Sequence, residues 1–307
     1  MKAEAICRKL IKAVSSIIDM AVLAVIVLLL AFAGYALWDT QQLYSEAESS
    51  RYAVYKPIEE DEGKSFLELQ AINPDVFAWL TVYGTDIDYP VVQGNDNMQY
   101  VNTNVEGRYS QSGAIFLDSK NKRDFSDFSN ILYGHHMEKN LMFGQIGDFS
   151  VIEMFETRKY GELYYEGRSR GIEFFAFIHT DAYDSEVFSV VMEAGDRQAY
   201  LDGLLAKAVY KRDIGITVDD RIILLSTCSY SSTSGRDLLA GKITDKVFED
   251  PFINIESDDL QILPDSGSAD GALRWLFSAT LILAALLVIM IIISNRMKQQ
   301  DETKAGR

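Results

Sequence analysis

The residue types best suited to covalent chemistry in this sequence are a cysteine and the histidines that could activate it. Cys228 follows the apolar run 221–227 and opens a segment rich in serine. A cysteine attacks as its thiolate, which usually needs a nearby histidine or another cation. The chain contains three histidines, His135, His136 and His179. Cys228 is therefore a candidate nucleophile, the alternative being an inert cysteine buried at a strand end.

The histidines occupy two different settings. His135 and His136 follow Tyr133-Gly134, where a predicted strand ends, and loops mounted on strands often present catalytic groups. His179 ends an apolar strand, a position that favours a hydrogen-bonded structural role. Since adjacent residues point in different directions, we expect one of His135 and His136 to face Cys228, and spacing does not decide which.

Arg236, eight residues after Cys228, is a further candidate. Its guanidinium carries a permanent charge and a rigid set of donors that could hold a carbonyl oxygen or a tetrahedral oxyanion. The alternative is a surface charge, which an isolated arginine more often is. If one strand ends at Cys228 and the next begins at Arg236, a hairpin would return the arginine close to the thiol.

These residues must be positioned by a mainly β domain. A helix is predicted to begin with a capping box at Ser65 and to stop at Asn73-Pro74, and another is predicted over 197–210. Many short strands with few helices indicate a mixed or antiparallel β-barrel with helical insertions. The predicted strands cover 79–82, 87–92, 114–117, 130–133, 171–179, 221–227 and 237–243.

Two long apolar segments flank this domain. Each is long enough to cross a hydrocarbon core of about 30 Å as a helix. Basic residues before the first and after the second predict that both tails are cytoplasmic. A cleaved signal peptide is the alternative for the first segment. The predicted order is a cytoplasmic tail at 1–13, a transmembrane signal anchor at 14–38, an extracellular domain at 39–264, a linker at 265–271, a transmembrane helix at 272–294 and a cytoplasmic tail at 295–307.

Charge and cysteine usage disfavour several classes of function. The chain carries a formal net charge of −16, which argues against nucleic acid as a partner. The sequence has no calcium-loop pattern and no histidine or cysteine spacing typical of a metal site, so we expect neither a metal nor a cofactor. Cys7 and Cys228 lie on opposite sides of the predicted membrane and cannot form a disulfide within the chain.

Six short motifs and one arginine are spread over nearly the whole predicted outer domain. They are Ile72-Asn73-Pro74-Asp75, Trp79-Leu80, Asp88-Tyr89-Pro90-Val91-Val92-Gln93-Gly94, Ser112-Gly113-Ala114-Ile115-Phe116-Leu117-Asp118, Tyr133-Gly134-His135-His136-Met137, Leu225-Ser226-Thr227-Cys228 and Arg236. Their content and order resemble those of class B sortases. The resemblance implies a sortase-like eight-stranded β-barrel with N-terminal helices and an inserted helix, here flanked by two transmembrane helices.

The resemblance also implies roles for individual residues. The histidine directly after Tyr133-Gly134 matches the catalytic one, which selects His135. Cys228 matches the nucleophile, and Arg236 matches the arginine that opens the next strand. The residues expected to contact the substrate are Tyr133, Ser226 and Thr227.

Three departures from the family pattern stand out. Leu225 replaces a frequent threonine, and Leu238-Leu239 replace frequent valines. These are changes of apolar packing and leave the chemistry in place. The predicted second transmembrane helix is more familiar among pilin-polymerising sortases, so the departure bears on the type of substrate.

The implied activity is a cysteine transpeptidation at the outer face of the cell membrane. A secreted protein bearing a C-terminal sorting signal would be cleaved through a thioacyl intermediate and joined to an amine of a peptidoglycan precursor. The alternatives are a pilin-polymerising sortase that uses a pilin lysine, and an inactive sortase-like membrane scaffold. An L,D-transpeptidase fits less well, because its cysteine is closely followed by arginine, whereas Ser229-Tyr230 follow Cys228.

Overall fold

The computed structural model describes residues 2–57, 64–190, 192–228 and 234–253. Its contacts divide the chain into two units, with a boundary after Gln41. Helix α1 (Lys2–Ala47) begins the chain, and within the described residues one helix is long and apolar enough to cross a membrane, with a mean hydropathy of 2.7 over its most apolar window. The first predicted span, 14–38, falls in α1. The second, 272–294, and the linker 265–271 lie outside the described residues.

The second unit is built on a closed β-barrel. The strands in the described residues are β1 (Val76–Val82), β2 (Asp88–Val92), β3 (Ile115–Leu117), β4 (Ser129–Tyr133), β5 (Tyr160–Tyr165), β6 (Arg168–Asp181), β7 (Ala208–Lys211), β8 (Arg221–Cys228) and β9 (Gly235–Thr244). Eight of them pair in the order β5-β1-β2-β3-β4-β8-β9-β6, and an additional pairing of β5 with β6 closes the ring. This confirms the predicted eight-stranded barrel.

The sheet is mixed. The pairs β2–β3 and β4–β8 are parallel, and the other pairings are antiparallel. The parallel pair β4–β8 is the one that carries the histidine motif and the cysteine motif. Parallel neighbours end at the same edge of a sheet, so both motifs leave the barrel at one end.

Few helices accompany the barrel in the described residues. Helix α2 (Lys64–Ile72) ends before Asn73-Pro74 as predicted, but it begins one residue ahead of Ser65, whose hydroxyl donates to the Lys56 carbonyl at 3.1 Å. The others are α3 (Ile152–Thr157), α4 (Arg197–Ala206) and the 3-10 helices Ser49–Tyr55, Gln99–Val101, Gly144–Ser150 and Ala194–Asp196.

The helix predicted over 197–210 was too long. Helix α4 ends at Ala206, and Ala208–Lys211 form the ninth strand, β7, paired with β6. The reason is an unpaired edge: β6 has 14 residues and β5 has six, so the backbone of β6 beyond its pairing with β5 is free for β7. Residues near the edge of a sheet take the conformation that satisfies their neighbour's backbone, whatever their helical spacing.

Strand β8 is buried on both faces, and this defines two core layers. Ile223 and Leu225 belong to the main core cluster, whereas Ile222 and Leu224 belong to a second cluster. The second cluster also contains Leu201 and Leu204 of α4, so α4 covers that face of the sheet. A strand covered on both faces reads as a continuous apolar run, which is what the sequence shows at 222–225.

Candidate active site

The backbone of β4 and β8 brings the histidine and cysteine motifs together. Tyr133 is the register partner of Ser226, and the Gly134 N–H donates to the Ser226 carbonyl at 3.2 Å. His135 lies two residues after Tyr133, and Cys228 lies two residues after Ser226. The two therefore lie at the same edge of the sheet, as their positions at strand ends predicted.

Strands β8 and β9 bring Arg236 to the same place. The antiparallel register sets the Cα atoms of Cys228 and Arg236 directly opposite each other. Opposite positions of an antiparallel pair share one face of the sheet. The predicted return of the arginine beside the cysteine is confirmed at the level of the backbone, and residues 229–233 between them lie outside the described residues.

A cleft of about 260 Å³ is lined by five of the predicted site residues, which are all those whose side chains the structure describes. Each of these five residues lies at the end of β4, β8 or β9, so one edge of the sheet brings them together from distant parts of the sequence. Asn97, Val101, Phe116 and Gly134 complete the lining. The five predicted residues in the cleft are Tyr133, His135, Ser226, Thr227 and Arg236.

His135 is held by a backbone carbonyl. Its Nε2 lies 2.8 Å from the Val101 oxygen. A carbonyl oxygen only accepts hydrogen bonds, so Nε2 carries a proton and Nδ1 is the nitrogen that can gain and lose one. His136 is not among the residues that line the cleft. Both of its ring nitrogens are buried, and this burial lowers the pKa of His136.

Gly134 allows the close approach that turns His135 into the cleft. A Cβ added at this position would lie 2.5 Å from the Ile115 side chain and 2.7 Å from the Phe143 ring. Real Cβ atoms do not come this close, so another residue at Gly134 would push these core side chains away from the histidine turn.

Tyr133 forms one wall of the cleft and is fixed from both ends. Its hydroxyl donates to Asp118 Oδ2 at 3.1 Å, and its ring lies 5.3 Å from Phe116 and 6.4 Å from Phe188 between ring centres. Burial, together with the adjacent carboxylate of Asp118, raises the pKa of the Tyr133 hydroxyl. Tyr133 therefore stays protonated and serves as a neutral, rigid wall. Asn97 donates to the same carboxylate oxygen at 2.7 Å.

Ser226 and Thr227 bring buried hydroxyl groups to this edge. The two residues are almost fully buried, and neither Ser226 Oγ nor Thr227 Oγ1 has a hydrogen-bond partner among the described residues. A buried hydroxyl without a partner costs about 1–3 kcal/mol. Both residues line the cleft.

Arg236 is half-buried. Its Nη1 donates to the Gly235 carbonyl at 2.9 Å, and within the described part of the chain its guanidinium forms no ion pair. Four more N–H donors of the guanidinium can serve a ligand oxygen. This donor surplus at the cleft suits the recognition of a carbonyl or an oxyanion.

His179 has the structural setting that the sequence predicted. Its Nδ1 lies 2.8 Å from Asp237 Oδ1, and the two residues are register partners on β6 and β9. Among the described residues no group of three or more histidine, cysteine or acidic side chains is arranged to hold a metal ion.

The sequence did not predict a role for Asn97, Val101 and Phe116, which line the cleft, or for Asp118, which binds Tyr133 and Asn97. Phe116 and Asp118 lie inside one of the six motifs, but nothing in their spacing indicated a role at the site. Asn97 follows Gly94 in a polar stretch directly after β2, and that position at a strand end was a usable signal. Val101 acts through its backbone carbonyl, so its side chain gave no signal at all.

Comparison with known proteins gives one consistent result. No family model matches the chain. Sortase B of Staphylococcus aureus is 33% identical to it over 180 residues, which cover 58% of this chain and 74% of that protein. The match therefore spans most of a curated relative at an identity that implies common descent.

Solved structures of sortase B also match this chain. A mutant form of sortase B from Clostridium perfringens matches with a TM-score of 0.60 and 35% identity over 64% of this chain and 96% of that chain. Sortase B from the type II pilus of Streptococcus pneumoniae matches with a TM-score of 0.52 and 44% identity over 58% of this chain and 98% of that chain. With its eight-stranded barrel and its cleft at the ends of β4, β8 and β9, the chain belongs to the class B sortases and is a cysteine transpeptidase of that class.

Proposed function

We propose that Cys228, His135 and Arg236 are the catalytic residues of a membrane-anchored transpeptidase that joins secreted proteins to a cell-wall amine. The observation that carries this proposal is the meeting of three strand ends at one cleft. His135 and Arg236 line it, and Cys228 is the register partner of Arg236. A nucleophile, a proton carrier and an oxyanion donor are the three groups that acyl transfer requires.

In the first half-reaction the Cys228 thiolate attacks the scissile carbonyl carbon of a C-terminal sorting signal. The resulting oxyanion accepts hydrogen bonds from the Arg236 guanidinium. The C–N bond then breaks, His135 in its imidazolium form gives a proton to the leaving amine, and a thioester on Cys228 remains. The contact of His135 Nε2 with the Val101 carbonyl supports Nδ1 as the nitrogen that gives this proton.

The second half-reaction reverses the order with a new amine. The amine attacks the thioester carbon, His135 Nδ1 takes the proton that the nitrogen loses, and the thiolate of Cys228 leaves. The product is an amide, and the enzyme regains its starting thiolate and imidazolium pair. Arg236 holds the same oxygen in both tetrahedral states, so it contributes twice in each cycle.

The sorting signal is proposed to bind along Tyr133, Ser226 and Thr227. The Ser226 hydroxyl lacks a partner among the described residues and shares its face of the sheet with Arg236, so a backbone group of an extended peptide could pair with it, while Thr227 lines the cleft beside it. Tyr133 is fixed between Phe116, Phe188 and the Asp118 carboxylate. A wall that does not need to reorganise on binding loses little conformational entropy.

The proposed location follows from the apolar segments. The anchor is proposed at 14–38, within helix α1, and a second transmembrane helix is proposed at 272–294 from its sequence. Both tails, 1–13 and 295–307, would then lie in the cytoplasm, with the transpeptidase domain 39–264 and its linker 265–271 outside. A secreted protein and a lipid-linked peptidoglycan precursor meet at that face of the membrane.

A pilin-polymerising sortase is the second candidate, in which a pilin lysine replaces the peptidoglycan amine. The sequence likeness favours it: the pilus-associated sortase B of Streptococcus pneumoniae is 44% identical over 58% of this chain. Incubation with a purified pilin distinguishes the two candidates. Covalent ladders would support pilin polymerisation, and transfer to a peptidoglycan-precursor amine without ladders would support wall anchoring.

The catalytic proposal is tested with the full-length chain in detergent and peptides that span the C-terminal sorting signals of secreted proteins. We expect Cys228→Ala to abolish cleavage of the peptide that wild type cleaves. Ser185→Ala, in a surface segment outside the cleft, serves as the control and should retain activity. Cleavage by Cys228→Ala at the wild-type rate would contradict the proposal.

A further inference from the structure

A second set of titratable side chains lies behind the cleft. Two of the three proposed catalytic residues have a titratable neighbour in sequence: His136 follows His135, and Asp237 follows Arg236. Successive residues of a strand point to opposite faces. Accordingly, Arg236 lines the cleft, while Asp237 is buried against other groups.

Asp237 is a buried carboxylate that joins two elements. It accepts a hydrogen bond from Nδ1 of His179 on β6 at 2.8 Å. On its other side it lies against the 3-10 helix Gly144–Ser150, since a Cβ added at Gly147 would be 3.4 Å from Asp237 Oδ2. Because Asp237 is 7% exposed, these neighbours take the place of water around its carboxylate.

The 3-10 helix in turn continues from the loop that carries His135. The Phe143 N–H, one residue before the helix, donates to the His135 carbonyl at 3.0 Å. His136 pairs with Met142 as an isolated β-bridge, which closes the same loop. The His135 loop and the 3-10 helix are therefore one connected piece of backbone.

His136 lies in the same buried region as Asp237 and Asp148, and burial changes its pKa. Burial lowers the pKa of His136, and the nearby carboxylates of Asp237 and Asp148 act against that change. Burial also raises the pKa of Asp148. Asp237 on β9 thus contacts both β6, through His179, and the 3-10 helix that follows the His135 loop, beside Gly147.

We propose that Asp237 is a positioning residue for catalysis, because its carboxylate fixes Arg236 and the His135 loop in their mutual placement. Arg236 is adjacent to Asp237 on β9, and the His135 loop is reached through Gly147 and Phe143. Rotation of the start of β9 would displace the guanidinium, and a shift of the 3-10 helix would displace the histidine. This inference rests on the catalytic roles proposed for His135, Cys228 and Arg236.

The test replaces the carboxylate by an amide of the same shape. Asp237→Asn in the full-length chain should lower kcat by about tenfold while KM for the peptide stays within about twofold, since misplacement of catalytic groups acts on the transition state. Asp220→Asn is the matched control. Asp220 accepts a hydrogen bond from Lys242 Nζ at 2.8 Å. It lies directly before the first residue of β8, whereas Cys228 is the last, so kcat of the Asp220→Asn variant should stay at the wild-type value.

A second variant keeps the test decisive if Asp237→Asn destabilises the fold. His179→Phe removes the donor to Asp237 at a side chain that is 42% exposed, and it should lower kcat in the same direction by a smaller factor. The kcat of each variant is measured at a temperature well below its unfolding midpoint, so that a loss of folded protein is not mistaken for a loss of activity. The inference is overturned if both variants keep the wild-type kcat, if the loss falls on KM alone, or if Asp220→Asn causes an equal loss.

The Cys228→Ala variant separates this inference from the function on which it rests. If Cys228→Ala is inactive and Asp237→Asn behaves as wild type, the positioning role is wrong and the catalytic set stands. If Cys228→Ala still turns over, the catalytic set itself is wrong, and the positioning role falls with it.

Discussion

Replacing Gly113 by alanine tests whether the Val101 carbonyl orients His135. Gly113 has a positive φ of 61°, and a Cβ at this position would lie 2.6 Å from the backbone oxygens of both Tyr100 and Val101. The Val101 oxygen is the one that accepts from His135 Nε2 at 2.8 Å. A methyl group at Gly113 therefore presses on the acceptor that fixes the histidine, without touching the histidine itself.

The size of the effect can be worked from these distances. The positive φ alone costs a non-glycine residue about 1–2 kcal/mol of stability. To reach even the tight contact distance of 3.0 Å, the Val101 oxygen must move by about 0.4 Å. A displacement of about 1 Å at a catalytic group can cost about 100-fold in rate, so we expect kcat to fall by about tenfold.

Gly107→Ala is the matched control. Gly107 also has a positive φ, 80°, but a Cβ there would meet nothing within 4 Å. Urea unfolding should show a loss of about 1–2 kcal/mol for Gly107→Ala and a larger loss for Gly113→Ala. Peptide cleavage should be slowed only in Gly113→Ala. An unchanged kcat in Gly113→Ala, or an equal loss in Gly107→Ala, would refute the role given to the Val101 carbonyl.

Three further predictions concern other groups. Arg236→Gln should lower kcat by about 100-fold or more, as expected for the loss of an oxyanion donor, and an effect confined to KM would contradict that role. Tyr133→Phe should lower the free energy of unfolding by about 1.5–3 kcal/mol, because Asp118 loses a donor, whereas Tyr183→Phe at an exposed ring should change it by less than about 0.5 kcal/mol. Because burial lowers the pKa of His136 below 6.5, wild type should lose stability as the pH falls through 6.5, where the unfolded chain takes up the proton first. His136→Asn should lose less over the same range in pH-dependent thermal unfolding, and an identical pH dependence would refute the assignment.

The strand ends that build the site were predictable from the sequence because each one coincides with a change from apolar residues to polar or glycine residues. Tyr133-Gly134, Cys228 and Arg236 lie at such changes, and their meeting follows once β4, β8 and β9 are neighbours. Sequence spacing alone left His135 and His136 as equals. The choice between them depends on which face of the sheet carries the cleft, and this is a property of the closed barrel.

Other features depend on contacts between distant segments, and local patterns do not encode them. The strand β7 forms because β6 extends beyond the end of its pairing with β5, whereas the sequence of β7 by itself resembles a continuation of α4. The carboxylate of Asp118 orders Asn97 and Tyr133 only because β2, β3 and β4 are adjacent. The strand β5 alternates between buried and half-buried residues, but a glycine occupies one buried position and tyrosines occupy two half-buried ones, so the sequence Tyr160–Tyr165 does not alternate between apolar and polar residues and did not predict a strand.

The most direct measurement of the proposed chemistry is mass spectrometry of the full-length chain after brief incubation with a cleavable sorting-signal peptide. Wild type should carry the acyl fragment as a thioester on the tryptic peptide that contains Cys228, and hydroxylamine should release it as the hydroxamate. Cys228→Ala should carry no adduct and release no fragment. An adduct on any other residue, or cleavage by Cys228→Ala, would contradict the assignment of Cys228 as the nucleophile.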